Sequence, residues 1–305
     1  MLGVGGLRLR AACCSCLRAF FAAEGFLEVD TPLRLPQILP ERFIEPLASE
    51  SFFLQTSPES CMKRLLALGC AKIFQICHCF RKGEKGRLHH EEFMMLEWYR
   101  LDADYRQLMA DCDALLAFLA ANIERFLPPQ VVFTWPENIR EDFRAGGERL
   151  TVAEAFARYA PLDAEAAVAS GQFDEMLVTH IEPRLGFARP TFLVDYPARL
   201  ASLARLSPED EKIAERFELY YRGIELANGF SELTDASEQR RRFDEEIVAI
   251  ERLGQPRPQM PERFLADLAK IGKACGIALG LDRLIMLLLG KNTLAEAVTF
   301  APGEL

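Results

Sequence analysis

No stretch of about 18 or more uncharged apolar residues occurs in this chain, so a membrane span is not expected. The best candidate, Gly276 to Gly290, is interrupted by Asp282 and Arg283. Met1 to Arg10 offers neither an apolar central region nor a small-residue cleavage site, so no signal peptide is read and a cytoplasmic location is expected. Positive charge is not in excess either. The formal net charge is −9, which opposes bulk attraction to phosphate and argues weakly against a nucleic-acid partner. The densest basic run, Arg240-Arg241-Arg242, reads as a solvated helix face. Also missing are paired metal-ligand spacings. A zinc site takes two ligands from each of two separated pairs. The tempting cluster Cys77-His78-Cys79 lies on a strand-like run where His78 faces the opposite side, and Cys13, Cys14 and Cys16 have no partner pair. The nine cysteines read as small buried hydrophobes in a reducing compartment. There is no internal repeat, no low-complexity tract and no GxGxxG turn in a βαβ unit, which sets aside a dinucleotide-binding fold.

Half of the 305 residues are hydrophobic, enough for one large core. Helical spacing of Leu9, Ala12, Cys13, Leu17, Phe20 and Phe21 predicts a helix over 8–24, ended by Gly25, with a strand from Phe26 to Asp30. Residues 33–51, with Pro36, Pro40 and Pro46, read as an irregular segment. Ser57-Pro58-Glu59 reads as a helix start. Strand-like runs at 71–81 and 92–100 flank a charged, glycine-containing loop, a long hairpin. Residues 104–126 read as helix, and Thr151 with Glu154 offers a capping box for a helix through Tyr159. The stretch 130–190 is otherwise poorly patterned. Strands are expected at 191–196, 217–221, 223–230 and 276–279, with helices at 208–215, 236–253, 260–270 and from Asp282. Antiparallel strands interspersed with helices predict an α+β fold in a single domain over 1–305.

Three separated segments carry candidate chemistry. Phe80-Arg81 ends one strand opposite Glu92-Phe93 on the next. An arginine beside an aromatic on a paired-strand floor suits a nucleotide, the guanidinium on phosphate and the ring on a base. Alone, the pair reads more readily as a surface arginine and a core phenylalanine. Glu218, Glu225 and Glu232 recur at seven-residue spacing, and Glu225 sits among apolar residues. A carboxylate there needs a cation: either magnesium or a buried ion-pair partner satisfies it. Gly276-Ile277-Ala278-Leu279-Gly280-Leu281-Asp282-Arg283 places small residues on a strand before a helix N-terminus and an arginine, which suits close approach of an anion.

The order of these segments resembles motifs 1, 2 and 3 of the class II aminoacyl-tRNA synthetases, with Phe20 to Pro32 as motif 1. Ser57-Pro58-Glu59, Leu96-Glu97-Trp98-Tyr99 and Glu225 through Leu233 resemble the lysine branch. The likeness covers the chain from about residue 8 and implies that class's catalytic domain, an antiparallel β-sheet flanked by helices. It implies ATP and Mg2+ as cofactors. Arg81 and Arg283 would be the catalytic residues, on the α- and γ-phosphates, with Phe93 on adenine. Glu84, His90, Glu225, Leu226 and Gly280 would complete the nucleotide site, and Glu218 with Glu225 would hold the metal. Glu97, Tyr99 and Glu232 would surround a side-chain ammonium and Glu59 a second amine, with Ser57, Asn228 and Ala278 lining the same pocket.

Motif 1 starts near residue 10, which leaves no room for an anticodon-reading barrel, and the chain is similar to the truncated elongation factor P–(R)-β-lysine ligases. Trp98, Ala278 and the wording of Gly223 to Phe230 agree with that branch. The likeness implies (R)-β-lysine or lysine as substrate, elongation factor P as protein acceptor in place of tRNA, and a homodimer through motif 1. Two departures touch the nucleotide loop: Gly83 stands where a glutamate is usual, with Glu84 next, and His90 replaces an asparagine. Alternatives are a stand-alone lysyl-adenylate enzyme charging tRNA, and a silent regulatory relative; the latter would have lost Arg81 or Arg283.

Overall fold

The structure, a computed structural model, describes residues 1–304. Eleven strands form in chain order: β1 (Leu27–Glu28), β2 (Arg34–Leu35), β3 (Ala48–Ser49), β4 (Phe52–Leu54), β5 (Lys72–Phe80), β6 (Glu92–Leu101), β7 (Glu148–Thr151), β8 (Thr191–Pro197), β9 (Ile213–Tyr221), β10 (Ile224–Ser231) and β11 (Ala274–Gly280). The helices that matter below are α1 (Val4–Ala23), α2 (Glu59–Ala67), α3 (Tyr105–Asn122) and, at the C-terminal end, Ala236–Arg252 and Leu281–Leu288. Eight strands make one sheet in the order β1-β5-β6-β11-β10-β9-β8-β7, antiparallel throughout its middle and parallel only at its two edges. The other three form a small sheet, β2-β4-β3.

Local chemistry accounts for the main joints. Arg222 and Gly223 both have positive φ, 52° and 72°, the pairing that a two-residue hairpin between β9 and β10 demands. Asp104 caps α3, and the expected capping box at Thr151 and Glu154 forms on both of its arms.

The register sorts the sheet into two unlike faces. Partners in antiparallel strands share a face. Phe74, Trp98, Ile277, Gly229 and Phe217 are successive partners across five strands, and Ile76, Leu96, Leu279, Ala227 and Leu219 follow in the next such row. This apolar face joins α1, α3 and the helix Leu281–Leu288 in the largest core cluster. The alternate rows carry the polar residues discussed below.

Most expected elements fall within a few residues of their observed bounds. Three differ in kind. Residues 208–215 are not helical: Ser207 to Lys212 form a turn stabilised by Ser207 and Asp210 side chains, and β9 begins at Ile213. Such residues favour turns because their side chains compete for local N–H groups. The strand at 26–30 shrinks to Leu27–Glu28 at the sheet edge, and the irregular 33–51 segment contains two of the small sheet's strands. No helix of the described residues is long and apolar enough to cross a membrane.

Candidate active site

One row of partners crosses the polar face: Gln75, Glu97, Ala278, Asn228 and Glu218, from β5, β6, β11, β10 and β9. The next row reads Ile73, Tyr99, Gly276, Phe230 and Arg216. Thus Glu97, Tyr99, Asn228, Ala278 and Glu218, expected from three separated segments, lie on one surface. A bulge in β10 between Glu225 and Ala227 makes this possible. Glu225 and Asn228 are three residues apart, so strict alternation would set them on opposite faces. The extra residue, Leu226, turns its side chain into the apolar core, so any contact it makes on the polar face runs through its backbone.

At the β5–β6–β11 end the carboxylates crowd together. Glu97 is 1% exposed and accepts hydrogen bonds from Ser57 Oγ at 2.6 Å and Tyr99 OH at 2.8 Å. Burial, then the charge of Glu59, pushes its carboxyl up to about 8, against the downward pull of those two donors. Glu232, 2% exposed just past β10, also has its carboxyl raised by burial. Gly276 is small by necessity: a Cβ there would lie 2.2 Å from the Tyr99 ring and 2.4 Å from Glu232 Oε1.

Sequence reasoning missed four residues here. Lys63, 1% exposed on α2, places Nζ 2.5 Å from Glu59 Oε1 and 2.5 Å from Glu232 Oε2. Its signal was the Glu59-x-x-x-Lys63 spacing, a helical i,i+4 pair. Gln75, buried beside Glu97 in the shared row, has neither side-chain nitrogen nor oxygen paired within the protein. Glu41, from the proline-bearing segment, shares a small cleft with Ser57 and Glu59, and burial followed by the charge of Glu59 pushes its carboxyl up to about 7. Glu182 is the fourth. It lies in the poorly patterned stretch, where no periodicity marked it.

At the other end, Arg81 follows β5, donates from Nε to the Thr56 carbonyl at 3.3 Å and lies 5.2 Å over the Phe93 ring. Glu84 is 3.7 Å from it. Arg283 donates to the Glu225 carbonyl at 2.7 Å and reaches its carboxylate at 3.1 Å, so the ion-pair reading of Glu225 is met within the chain. Glu225 is half-buried rather than enclosed. Arg283 also meets the Leu88 carbonyl and His89 Nε2 at 2.8 Å. His89 is therefore the loop histidine at this arginine; burial, then the Arg283 charge, lowers its pKa. Gly280 precedes the helix Leu281–Leu288, but that N-terminus already holds an acid. Asp282 accepts from Met94 N–H at 2.7 Å and pairs with Arg10 at 2.7 Å, so the helix end is not an open anion site.

Glu218 accepts from Arg216 at 2.7 Å and from Tyr220 OH at 2.6 Å. Tyr220 OH also lies 3.2 Å from Glu182 Oε1, and Arg216 donates to Asn228 Oδ1 at 3.2 Å. Burial raises the Glu218 and Glu182 carboxyls, and the Glu225 charge raises both further. Carboxylates that repel one another in this way suit a cation. Magnesium is usually held by only one or two carboxylates together with substrate phosphates, so Glu218 and Glu225 fit it. Among the described residues no three metal-ligating side chains already stand at binding distance of one point.

Elsewhere the sequence reading meets plain outcomes. Cys77 and Cys79 are buried with Met95 beneath Phe93 and Ala278, and His78 faces Glu92 instead. All nine cysteines are free thiols. Arg240, Arg241 and Arg242 are each paired with glutamates, Glu262, Glu238 and Glu245 among them. Trp98 lies on the apolar face and donates to Asp111 at 3.2 Å, so it takes no part in the polar pocket.

An antiparallel sheet flanked by helices, with two arginines, an aromatic ring and several carboxylates gathered about it, fits the catalytic domain of an amino-acid-activating ligase. The family model described as tRNA synthetases class II (D, K and N) matches residues 5–303. The chain belongs to that family, whose members use ATP and Mg2+ to activate amino acids.

Proposed function

We propose that this protein activates a lysine-type diamino acid, (R)-β-lysine, as its adenylate and transfers it to the ε-amine of a lysine on elongation factor P. One observation carries the choice of amino acid: Glu59, Glu97 and Glu232 converge with Tyr99 on one buried pocket. The family spans aspartate, lysine and asparagine enzymes. A pocket for an aspartate side chain would need a free cation, and here the cation that reaches these carboxylates, Lys63, is already held between two of them. An ammonium is the side chain that this pocket complements.

The chemistry follows from position and charge. The substrate carboxylate attacks the α-phosphorus of ATP, forming the acyl–phosphate bond as pyrophosphate leaves. The acceptor amine then attacks the acyl carbon and AMP leaves. Arg81 and Arg283 neutralise phosphate charge, and Phe93 offers a stacking face already packed under Arg81. Before ATP enters, Arg283 is tethered to Glu225, so nucleotide binding exchanges that contact for phosphate. Glu218 and Glu225 would hold magnesium, which when bound would further neutralise the phosphates. Glu84, His90 and Gly280 border the nucleotide, and Ser57, Glu59, Glu97, Tyr99, Asn228 and Glu232 hold the amino acid.

The β-isomer and the protein acceptor rest on finer points. Ala278 sits in the same row as Glu97 and Asn228, so its methyl group forms part of the pocket floor. A methyl there disfavours an amine on the α-carbon and leaves room for one shifted to the β-carbon. The wording of Gly223 to Phe230 supports the same branch. The test incubates the enzyme with ATP, Mg2+, radiolabelled (R)-β-lysine and either elongation factor P or tRNA. Label on the protein supports the reading, and label on tRNA alone refutes the acceptor. Ala278→Gly should raise the use of α-lysine relative to the β-isomer; unchanged selectivity refutes the role of the methyl.

A further inference from the structure

Lys63 is a buried charged group of the pocket to which the reaction above gives no role. Its ammonium lies 2.5 Å from Glu59 Oε1, 2.5 Å from Glu232 Oε2 and 5.3 Å from the Phe230 ring centre. It reaches this point from α2, whose first residue is Glu59 itself. The third carboxylate, Glu97, is held instead by Ser57 and Tyr99, neither of which brings a positive charge. Glu232 Oε1, turned toward Gly276, has no hydrogen-bond partner although it is fully enclosed.

We propose that Lys63 is the resident cation that sets the charge of this pocket, making it the complement of a substrate that brings two ammonium groups. This deepens the amino-acid reading above and rests on it. With all three carboxylates ionised, as an ammonium partner requires, three charges less one fixed ammonium leave two negative charges to be met. A diamino acid meets both. A monoamino acid leaves one carboxylate unpaired in a buried site, which is strongly unfavourable. Lys63 thus acts as a positioning residue: it touches Glu59 and Glu232 and fixes how many charges they present to the substrate.

Two other charged groups lie near this point: Glu41, whose carboxyl is raised by burial and by the Glu59 charge, and Arg81, whose charge lowers the carboxyls of Glu41 and Glu97 and which the reaction commits to phosphate. Tyr99 stays neutral because burial raises its phenol well above the ordinary value. Burial opposes the Lys63 charge, and the Glu232 and Glu59 carboxylates more than offset it, so Lys63 remains protonated across the working pH range.

Two measurements on the full chain, with Lys63→Met and Lys63→Arg, test the proposal. The first is calorimetric titration with lysine in buffers of different ionisation enthalpy, which reports protons released on binding. Without Lys63 the facing carboxylates take up a proton in the free protein. Lys63→Met should therefore release more protons than the wild type on binding lysine, and Lys63→Arg the same number. The second needs no ligand: thermal unfolding from pH 5 to pH 9. A buried carboxyl kept protonated in the folded state loses stability as pH rises through its folded pKa. The deficit of Lys63→Met relative to the wild type should therefore widen with pH, while Lys63→Arg tracks the wild type. Equal proton release together with a pH-independent deficit would assign Lys63 to packing alone and overturn the proposal. Failure of the wild type to bind either lysine or (R)-β-lysine would overturn the amino-acid reading instead, and the unfolding series would still decide whether Lys63 balances the carboxylates.

Discussion

Replacing Glu97 by glutamine should damage activity and improve stability at alkaline pH, and both effects follow from one buried carboxyl. Burial and the neighbouring Glu59 charge push Glu97 up to about 8 from an ordinary 4.5, so the free enzyme at pH 7 holds it largely protonated. An ammonium needs the ionised form. At pH 7 about a tenth of the enzyme is ready, and kcat/KM for the amino acid should rise about tenfold per pH unit until it flattens near pH 8. The stability sign is the reverse. An acid whose folded pKa lies above its unfolded one costs nothing below about pH 4.5 and costs progressively more as pH climbs through 8. Over that interval the full cost is about 4–5 kcal/mol. Glutamine removes it, at the expense of about 1–3 kcal/mol for imperfect pairing with Ser57 and Tyr99. The variant should thus gain roughly 1–4 kcal/mol at pH 9, a rise in Tm of about 2–6 °C, and gain nothing at pH 5. Meanwhile kcat/KM for the amino acid should fall about 30-fold to several thousand-fold, the 2–5 kcal/mol cost of truncating one side of a buried charge pair. The KM for ATP should hold. Thermal unfolding at both pH values and steady-state pyrophosphate exchange supply the numbers. A variant no more stable at pH 9 than at pH 5, relative to wild type, would refute the reasoning.

Other consequences are as direct. Gly276→Ala drives a methyl into Tyr99 and Glu232, so the amino-acid KM should rise tenfold or more, with a stability loss of about 1–3 kcal/mol; an unchanged KM would mean that Tyr99 moves aside freely. Trp98→Phe removes a donor to Asp111 on the apolar face, so stability should fall by about 1–2 kcal/mol while amino-acid selectivity stays constant. A change in selectivity would show that this face communicates with the pocket. Arg216→Met strips the cation from buried Glu218 and should cost about 3–5 kcal/mol, with an increased Mg2+ requirement for exchange; a magnesium titration identical to wild type would separate Glu218 from the metal.

The legible parts of this molecule are those whose signal is local. The strand pair on either side of Arg222, the Thr151–Glu154 box and the facing of His78 away from Cys77 and Cys79 each depend on a few adjacent residues, and each formed. The pocket was legible where its residues sat in recognisable segments, as with Glu97, Tyr99 and Asn228. What escaped depended on events beyond a local window. Leu226, expected at the nucleotide through the resemblance, turns its side chain into the apolar core because of a bulge that no local pattern announces. Lys63 looked like an ordinary helical lysine because only β10 and the chain just beyond it bring Glu232 to it. Glu182 and Glu41 come from a short irregular helical segment and from a proline-bearing loop, whose positions are fixed by the sheet they pack against rather than by their own sequence. His89 and His90 are adjacent, and only the path of the loop decides which one meets Arg283.

The most direct measurement is ATP–pyrophosphate exchange by the purified protein with Mg2+, run in parallel with (R)-β-lysine, α-lysine, aspartate and asparagine. The account predicts exchange with the two diamino acids, faster with (R)-β-lysine, and none above background with aspartate or asparagine. Exchange driven by aspartate or asparagine, or no exchange with any of the four by protein that is folded and binds ATP, would contradict it.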